Sequence, residues 1–257
     1  MTIINTGLRS AVAVFAARPR VLVAVDFDGT LSPFVIDPMA ARAMPGGLEA
    51  LAALAALDGV TAAIVSGRDL ETLSALTGFA PGTGVVLIGS HGAQTSPAGQ
   101  GGLDEEATAR LIVVNDELEA VRTRFPAVRL EHKPSAVVMH TRGVEPSVAA
   151  AATAAALEVG ERHRGVHVMP GKSVVELTVT EANKGTALLT LARVTSSDAT
   201  LYVGDDVTDE RAFAALDPAS GDLSVKVGDG DSVATQRVPD PASVVALLEL
   251  VAEARRS

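Results

Sequence analysis

Val21-Leu22-Val23-Ala24-Val25-Asp26-Phe27-Asp28-Gly29-Thr30-Leu31 carries the reading of this 257-residue chain. Five consecutive apolar residues, most of them β-branched, leave no polar face, so the segment reads as a strand buried on both sides, central and parallel. Before it, Ile4, Leu8, Val12 and Phe15 recur at helical spacing, and the helix should stop near Arg18-Pro19. After it the texture alternates: a helix over 48–57, a strand over 60–65, a helix over 70–76, and a strand over 85–88 that ends in Gly89-Ser90. Alternating strand and helix implies an α/β fold, a Rossmann-like core with a parallel sheet and right-handed crossovers.

Beyond Gly99-Gln100-Gly101-Gly102 the pattern changes. A long helix is expected over 104–124, short strands over 129–131 and 136–141, a helix over 147–162, and strands over 167–169 and 174–179 separated by a turn at Pro170-Gly171. The block reads as a small α/β domain inserted into the first. From Asn183-Lys184-Gly185 the parallel texture returns: a helix over 186–192, a strand over 200–203 ending in Gly204-Asp205-Asp206, a helix over 209–216, a strand over 223–227, and a last helix over 244–254 capped by Ser243. The expected division is core over 1–103, insert over 104–178 and core again over 179–257.

Composition narrows the chemistry. The chain has no cysteine, which removes disulfides, thiolate nucleophiles and Cys-ligated metals. Its 31 Asp+Glu against 21 Lys+Arg give a net charge of −10, which argues against nucleic acid or an anionic membrane as partner. Aromatic residues are 3% of the chain, with one Tyr and no Trp, so stacking platforms for bases have little to be built from. Apolar runs stay well short of the ~20 residues a spanning helix needs, and Arg9 interrupts the first of them where a signal peptide would be apolar. The expectation is a cytoplasmic protein, a monomer, acting on a small molecule.

In an open parallel sheet, functional groups gather at the carboxyl ends of strands, and four such ends carry polar residues: Asp26 and Asp28, Ser66, Ser90, and Asp205 with Asp206. Extended backbone through Asp28 would aim the Asp26 and Asp28 side chains the same way. Carboxylates that close repel unless a cation intervenes, and with Asp205 they suit a hard divalent ion, Mg²⁺ above all. This set fits phosphoryl transfer to a carboxylate, with Asp26 as nucleophile and Asp28 as acid and base. Gly29 permits a sharp turn, the amides from Gly29 and Thr30 onward can hold phosphate oxygens, Ser66 offers a hydroxyl, and Lys184 a point charge. Taken singly, each motif has a bland alternative: Asp-Gly is a common turn, Ser66-Gly67-Arg68-Asp69 matches a capping box, and Asp206 or Thr208 could cap the following helix.

Together, Asp26-Phe-Asp-Gly-Thr-Leu, Ser66-Gly-Arg, Lys184-Gly and Gly204-Asp-Asp-Val-Thr-Asp-Glu resemble the four motifs of the haloacid dehalogenase superfamily. The last motif, the inserted cap, Glu131-His-Lys133 and Gly171-Lys-Ser-Val-Val-Glu176 are similar to the trehalose-6-phosphate phosphatases within it. The resemblance implies Mg²⁺-dependent hydrolysis of trehalose 6-phosphate through an aspartyl-phosphate, the last step of trehalose biosynthesis. It implies that the ion is held by Asp26, Asp205 and the backbone carbonyl of Asp28, with Asp206 and Asp209 around it and Asp209 orienting Lys184 or a water. Ser66 and Lys184 would bind the phosphoryl group, Arg68 the phosphate or sugar, and Glu131, Lys133, Arg142 and Glu176 the disaccharide hydroxyls. Other capped sugar-phosphate enzymes share the core motifs, sucrose-phosphate phosphatase and phosphomannomutase among them. A non-catalytic phosphosugar-binding domain is a further alternative, and Glu131, Lys133 and Glu176 could instead form ion pairs across a solvated sheet.

Overall fold

The decisive segment forms strand β1 (Val21–Val25) of a computed structural model that describes residues 4–96, 103, 105–171 and 173–256. Around it follow, in chain order, helix α1 (Thr6–Ala16), α2 (Gly47–Ala55), β2 (Val60–Val65), α3 (Leu70–Thr77), β3 (Val85–Gly89) and β4 (Gln94–Thr95). The chain then builds α4 (Glu105–Arg124), β5 (Arg129–Lys133), β6 (Ala136–His140), α5 (Pro146–Arg162), β7 (His167–Gly171) and β8 (Val174–Thr178). It closes with α6 (Lys184–Val194), β9 (Ala199–Gly204), α7 (Glu210–Ala215), β10 (Leu223–Val227), β11 (Gln236–Val238) and α8 (Pro241–Arg256). Two compact units result, Met1–Gly101 with Ala182–Ser257, and Gly102–Glu181. The expected linker glycines and the expected helix start at Asp104 lie outside the described residues.

In the first unit the sheet runs β11-β10-β9-β1-β2-β3-β4, parallel except for the short β3–β4 pair. β1 is flanked by β9 and β2, with Val21 opposite Ala199 on one side and Val60 on the other. All five of its residues are fully buried, and the strand period divides them between two cores. Val21, Val23 and Val25 meet the layer of α1, α2 and α8 through Leu8, Phe15, Leu51, Leu54, Leu247 and Val251. Leu22 and Ala24 meet α6 and α7 through Leu188, Leu191 and Phe213. A strand with no polar face is what this double coverage demands.

The second unit is an antiparallel sheet in the order β5-β6-β8-β7 with α4 and α5 packed on one face. Val137, Met139, Val175 and Leu177 face the helices, against Val114, Leu118, Ala152, Ala156 and Val159. By register, Glu131 and Glu176 both stand opposite Val138, and Lys133 opposite Ala136, so this polar row occupies the other face.

Three local expectations are corrected. Pro170 and Gly171 do not form the hairpin turn but end β7, opposite Val175 and Val174. Pro170 is tolerated because β7 is an edge strand, and the turn falls instead where Ser173 adopts φ 62°. Asp240, not Ser243, caps α8: its carboxylate accepts from the Ser243 N–H at 2.8 Å and hydroxyl at 2.6 Å. Ser66 does not cap α3; Asp69 does, accepting from the Thr72 N–H at 2.8 Å. A carboxylate offers two acceptor oxygens where a serine offers one, which favours the aspartates.

Candidate active site

Parallel pairing places the carboxyl ends of β9, β1 and β2 side by side, and with them Asp205, Asp26 and Ser66. Asp26 follows β1 directly and is 4% exposed; its backbone N–H donates to the Val203 carbonyl at 2.9 Å. Lys184 enters as the first residue of α6, which Asn183 and Thr186 start with a reciprocal capping box. The helix turns this lysine inward, leaving it 2% exposed with its ammonium 2.9 Å from Asp26 Oδ1. The same ammonium donates to Asp209 Oδ1 at 2.8 Å.

Asp209 is the anchor of the group. It is fully buried, and beyond Lys184 its Oδ1 accepts from the Tyr202 hydroxyl at 2.6 Å. Its Oδ2 accepts from the backbone N–H groups of Asp205 and Asp206 at 3.0 and 2.9 Å. Asp209 therefore gathers the loop after β9 instead of capping α7. The bland reading of that motif as an ordinary cap does not describe the geometry: Asp206 is exposed and its carboxylate accepts only from Val207 among the hydrogen bonds found there, at 2.7 Å.

One lysine faces a cluster of three acids, paired directly with Asp26 and Asp209. Carboxylate oxygens of Asp26, Asp205 and Asp209 lie within 4.8 Å of one another. Burial pushes the Asp26 carboxyl up, against the pull of Lys184, and the neighbouring Asp209 adds to the rise. Burial likewise raises Asp205, to about 6, with Thr30 opposing and Asp209 and Asp206 reinforcing. Lys184 loses hydration by burial, yet Asp26 and Asp209 outweigh that and hold its pKa above the ordinary lysine value. The residual negative charge, all on hard oxygen donors, fits a small divalent cation. Asp209 already accepts four donors, so Asp26 and Asp205 are the carboxylates with capacity left for an ion.

Asp28 stands apart from this group. The chain leaves the strand after Val25, and the N–H groups of Leu31 and Ser32 both donate to the Phe27 carbonyl, at 2.9 and 2.8 Å. The extended geometry expected to aim both aspartates one way therefore ends before Asp28. Its carboxylate is gripped by Arg68, Nε to Oδ2 and Nη2 to Oδ1, each at 2.6 Å, a fork-to-fork pair. The hydrogen bond to Asp28 raises the Arg68 pKa, and the guanidinium lies 5.8 Å from the centre of the Phe27 ring. Gly29 sits at φ +77°, where a Cβ would overlap both the Asp205 carboxylate and Phe34. Thr30, fully buried, donates its hydroxyl to Asp205 Oδ1 at 3.1 Å. Ser66 is 1% exposed, and its hydroxyl accepts from the Arg68 N–H at 3.2 Å.

The insert holds its own polar set. Lys133 donates to Glu176 Oε2 at 3.1 Å, and Glu131 Oε2 is 2.7 Å from the His140 ring. Lys133 and Glu176 do form an ion pair across the strands, and Glu131 a hydrogen bond with the His140 ring, on the face away from the helices. Arg142 is exposed in the turn between β6 and α5.

Sequence reasoning overlooked several participants. Tyr202 is fully buried on β9, and nothing in an apolar strand flags its hydroxyl as the one that reaches Asp209. Lys226, 6% exposed at the end of β10, donates to the carbonyls of Asp205 and Val227. A lysine in the otherwise uncharged Leu223-Ser-Val-Lys-Val run was the available signal. Ser90, which the sequence did mark as a polar strand end, and its unmarked neighbour His91 take φ 50° and 54°, a left-handed pair whose N–H groups donate to Arg68 and Ser66 carbonyls at 2.7 and 2.9 Å. Those hydrogen bonds hold the Ser66 loop against the end of β3 and offset the left-handed strain.

A parallel sheet with this acid cluster at its carboxyl ends and an α/β insert is the fold of the haloacid dehalogenase superfamily. The profile for trehalose-phosphatase matches residues 24–242, and the chain belongs to that family. It is 34% identical to the trehalose-phosphate phosphatase of Mycobacterium tuberculosis strain H37Rv over 97% of this chain and 65% of that protein. With its counterpart in Mycobacterium ulcerans the identity is 35%, over 88% of this chain and 60% of that protein. The chain thus spans less than two-thirds of the length of these relatives. Among solved structures it is similar to Aspergillus fumigatus trehalose-6-phosphate phosphatase, with TM-score 0.75, 26% identity, and coverage of 98% of this chain and 99% of that one.

Proposed function

We propose that the protein is a Mg²⁺-dependent phosphatase that converts trehalose 6-phosphate and water to trehalose and inorganic phosphate through an aspartyl-phosphate on Asp26. The observation that carries this reading is the buried Asp26 carboxylate paired with Lys184 beside Asp205, in a chain of the trehalose-phosphatase family. Lys184 pulls the Asp26 carboxyl toward its ionised form, the form that attacks phosphorus, against the rise that burial imposes. As the Asp26–phosphorus bond forms, the ester bond to the sugar oxygen breaks, and Asp28 gives that oxygen its proton. Asp28 then takes a proton from water, whose oxygen attacks the aspartyl-phosphate, releasing phosphate and restoring Asp26. For this role Asp28 must leave Arg68, and an arriving phosphate is the natural competitor for that guanidinium. Asp26, Asp205 and the Asp28 carbonyl would hold Mg²⁺, which supplies charge neutralisation between carboxylate and phosphate. Ser66 and the Thr30 amide bind phosphoryl oxygens, whereas the expected Gly29 amide is already taken, its N–H donating to the Ser32 carbonyl at 2.7 Å.

A disaccharide presents hydroxyls and little apolar surface, so charged and amide groups should read it. Glu131, Lys133, Glu176 and Arg142 supply them in the insert. The protein acts as a cytoplasmic monomer on a small molecule, and its net charge of −10 disfavours nucleic acid. Phosphate release from trehalose 6-phosphate, measured with and without MgCl₂, should far exceed release from sucrose 6-phosphate or mannose 6-phosphate. The reverse preference overturns the substrate, and release that persists in EDTA overturns the metal.

A further inference from the structure

Tyr202 is the chain's single tyrosine, fully buried, with its ring 5.8 Å from that of Phe213 and its hydroxyl donating to Asp209 Oδ1 at 2.6 Å. The same Oδ1 receives Lys184 at 2.8 Å, and Lys184 is shared with Asp26 at 2.9 Å. Asp209 is thereby saturated, two donors to each oxygen. We propose that Tyr202 is a positioning residue: by filling the second acceptor place on Asp209 Oδ1, its hydroxyl fixes how Lys184 is divided between Asp209 and Asp26. Without it, Asp209 holds more uncompensated negative charge, draws the lysine from Asp26, and itself becomes available to a cation. The hydroxyl stays a donor throughout, because burial and Asp209 push its pKa well above that of free tyrosine.

The inference rests on the proposed phosphatase reading for its kinetic consequence but not for its structural one. Tyr202→Phe keeps the ring and removes only the oxygen. It should lower kcat roughly tenfold on trehalose 6-phosphate and on p-nitrophenyl phosphate, with KM within about twofold. The Mg²⁺ concentration giving half of the full thermal shift should fall in the variant, by roughly two- to fivefold, since Asp209 loses a donor that offset its charge and gains capacity for an ion. A merely structural tyrosine would do the opposite, loosening the site and raising that concentration. An unchanged or raised value, or no Mg²⁺ shift in the unaltered protein, overturns the proposal, as does an unchanged kcat in a protein that is active. With no tryptophan present, tyrosine emission reports Tyr202 alone. Asp209→Asn should brighten it in a variant whose circular dichroism is unaltered, and equal emission overturns the contact. If Asp209→Asn fails to fold, the Mg²⁺ readout on Tyr202→Phe decides. Failure of the unaltered protein to hydrolyse trehalose 6-phosphate overturns the substrate reading alone, because the thermal and emission readouts need no substrate.

Discussion

Lys184 carries the heaviest single burden in the molecule, since its ammonium stands against both Asp26 and Asp209 with all three side chains buried. Lys184→Met should cost about 3–5 kcal/mol of stability at neutral pH, because two carboxylates lose their partner in a site closed to water. With the lysine gone, those carboxyls must take up protons to remain buried. The folded state then binds more protons than the unfolded one, so the deficit shrinks as pH falls and grows as it rises. Urea unfolding at pH 5, 7 and 8 measures this, and a deficit independent of pH would refute it. Asp26→Asn should abolish phosphate release while circular dichroism and melting stay close to those of the unaltered protein, since the Lys184–Asp209 pair survives. Residual turnover would remove the covalent route. Asp205, raised to about 6, binds a proton in the range where it should bind a cation. The thermal shift produced by Mg²⁺ should therefore weaken as pH is lowered from 7.5 through 6 to 5, and a shift constant over that range contradicts Asp205 as a ligand.

Among the elements, strands without a polar face were the readable ones. β1 stands in the sequence as a continuous apolar run because helices cover both sides of the sheet there, while β2 and β9 are interrupted by Thr61 and Thr200 and β10 by Ser224 and Lys226. β4 and β11, two and three residues long and largely polar, have no such pattern and exist through pairing with β3 and β10. The motif positions were equally readable, since strand ends in a parallel sheet must converge. The partner of Asp28 was not: Arg68 meets it because the chain curls after Phe27, a turn that periodicity cannot foresee. Helix caps followed the same lesson. Asp69 holds the start of α3 through the N–H and hydroxyl of Thr72, both at 2.8 Å. Asp69→Ala should cost about 1 kcal/mol in urea unfolding. Burial opposes the ionised Asp69, but those hydrogen bonds to Thr72 outweigh it and lower its pKa. Its contribution is thus present above the usual carboxylate range and fades as pH falls through the lowered value. In the insert, Lys133→Ala should change stability by less than about 1 kcal/mol, as cross-strand pairs on half-exposed faces do. The same change should raise KM for trehalose 6-phosphate while sparing p-nitrophenyl phosphate. Equal effects on both substrates would place Lys133 outside sugar recognition.

At the scale of the whole molecule, the acidic surplus is only partly accounted for by the site. Asp26, Asp28, Asp205, Asp206 and Asp209 are five of 31 acidic residues. The rest lie largely on surfaces, where like charge favours solubility over association. The discontinuous first unit has a further effect, on the order in which the protein can be made. β1 pairs Val21 with Ala199, so its central position is completed only by a strand that follows the whole insert. Asp26 and Ser66 precede that insert, whereas Lys184, Asp205 and Asp209 come after it. During synthesis the insert, contiguous from α4 to β8, can close on itself while the larger sheet still lacks β9 and β10. The nascent core would then wait with an uncovered β1 edge, an interval in which a chaperone or a misplaced strand could compete for it. Refolding should show the same lag, with Tyr202 emission reaching its native value after far-ultraviolet helical signal has largely recovered.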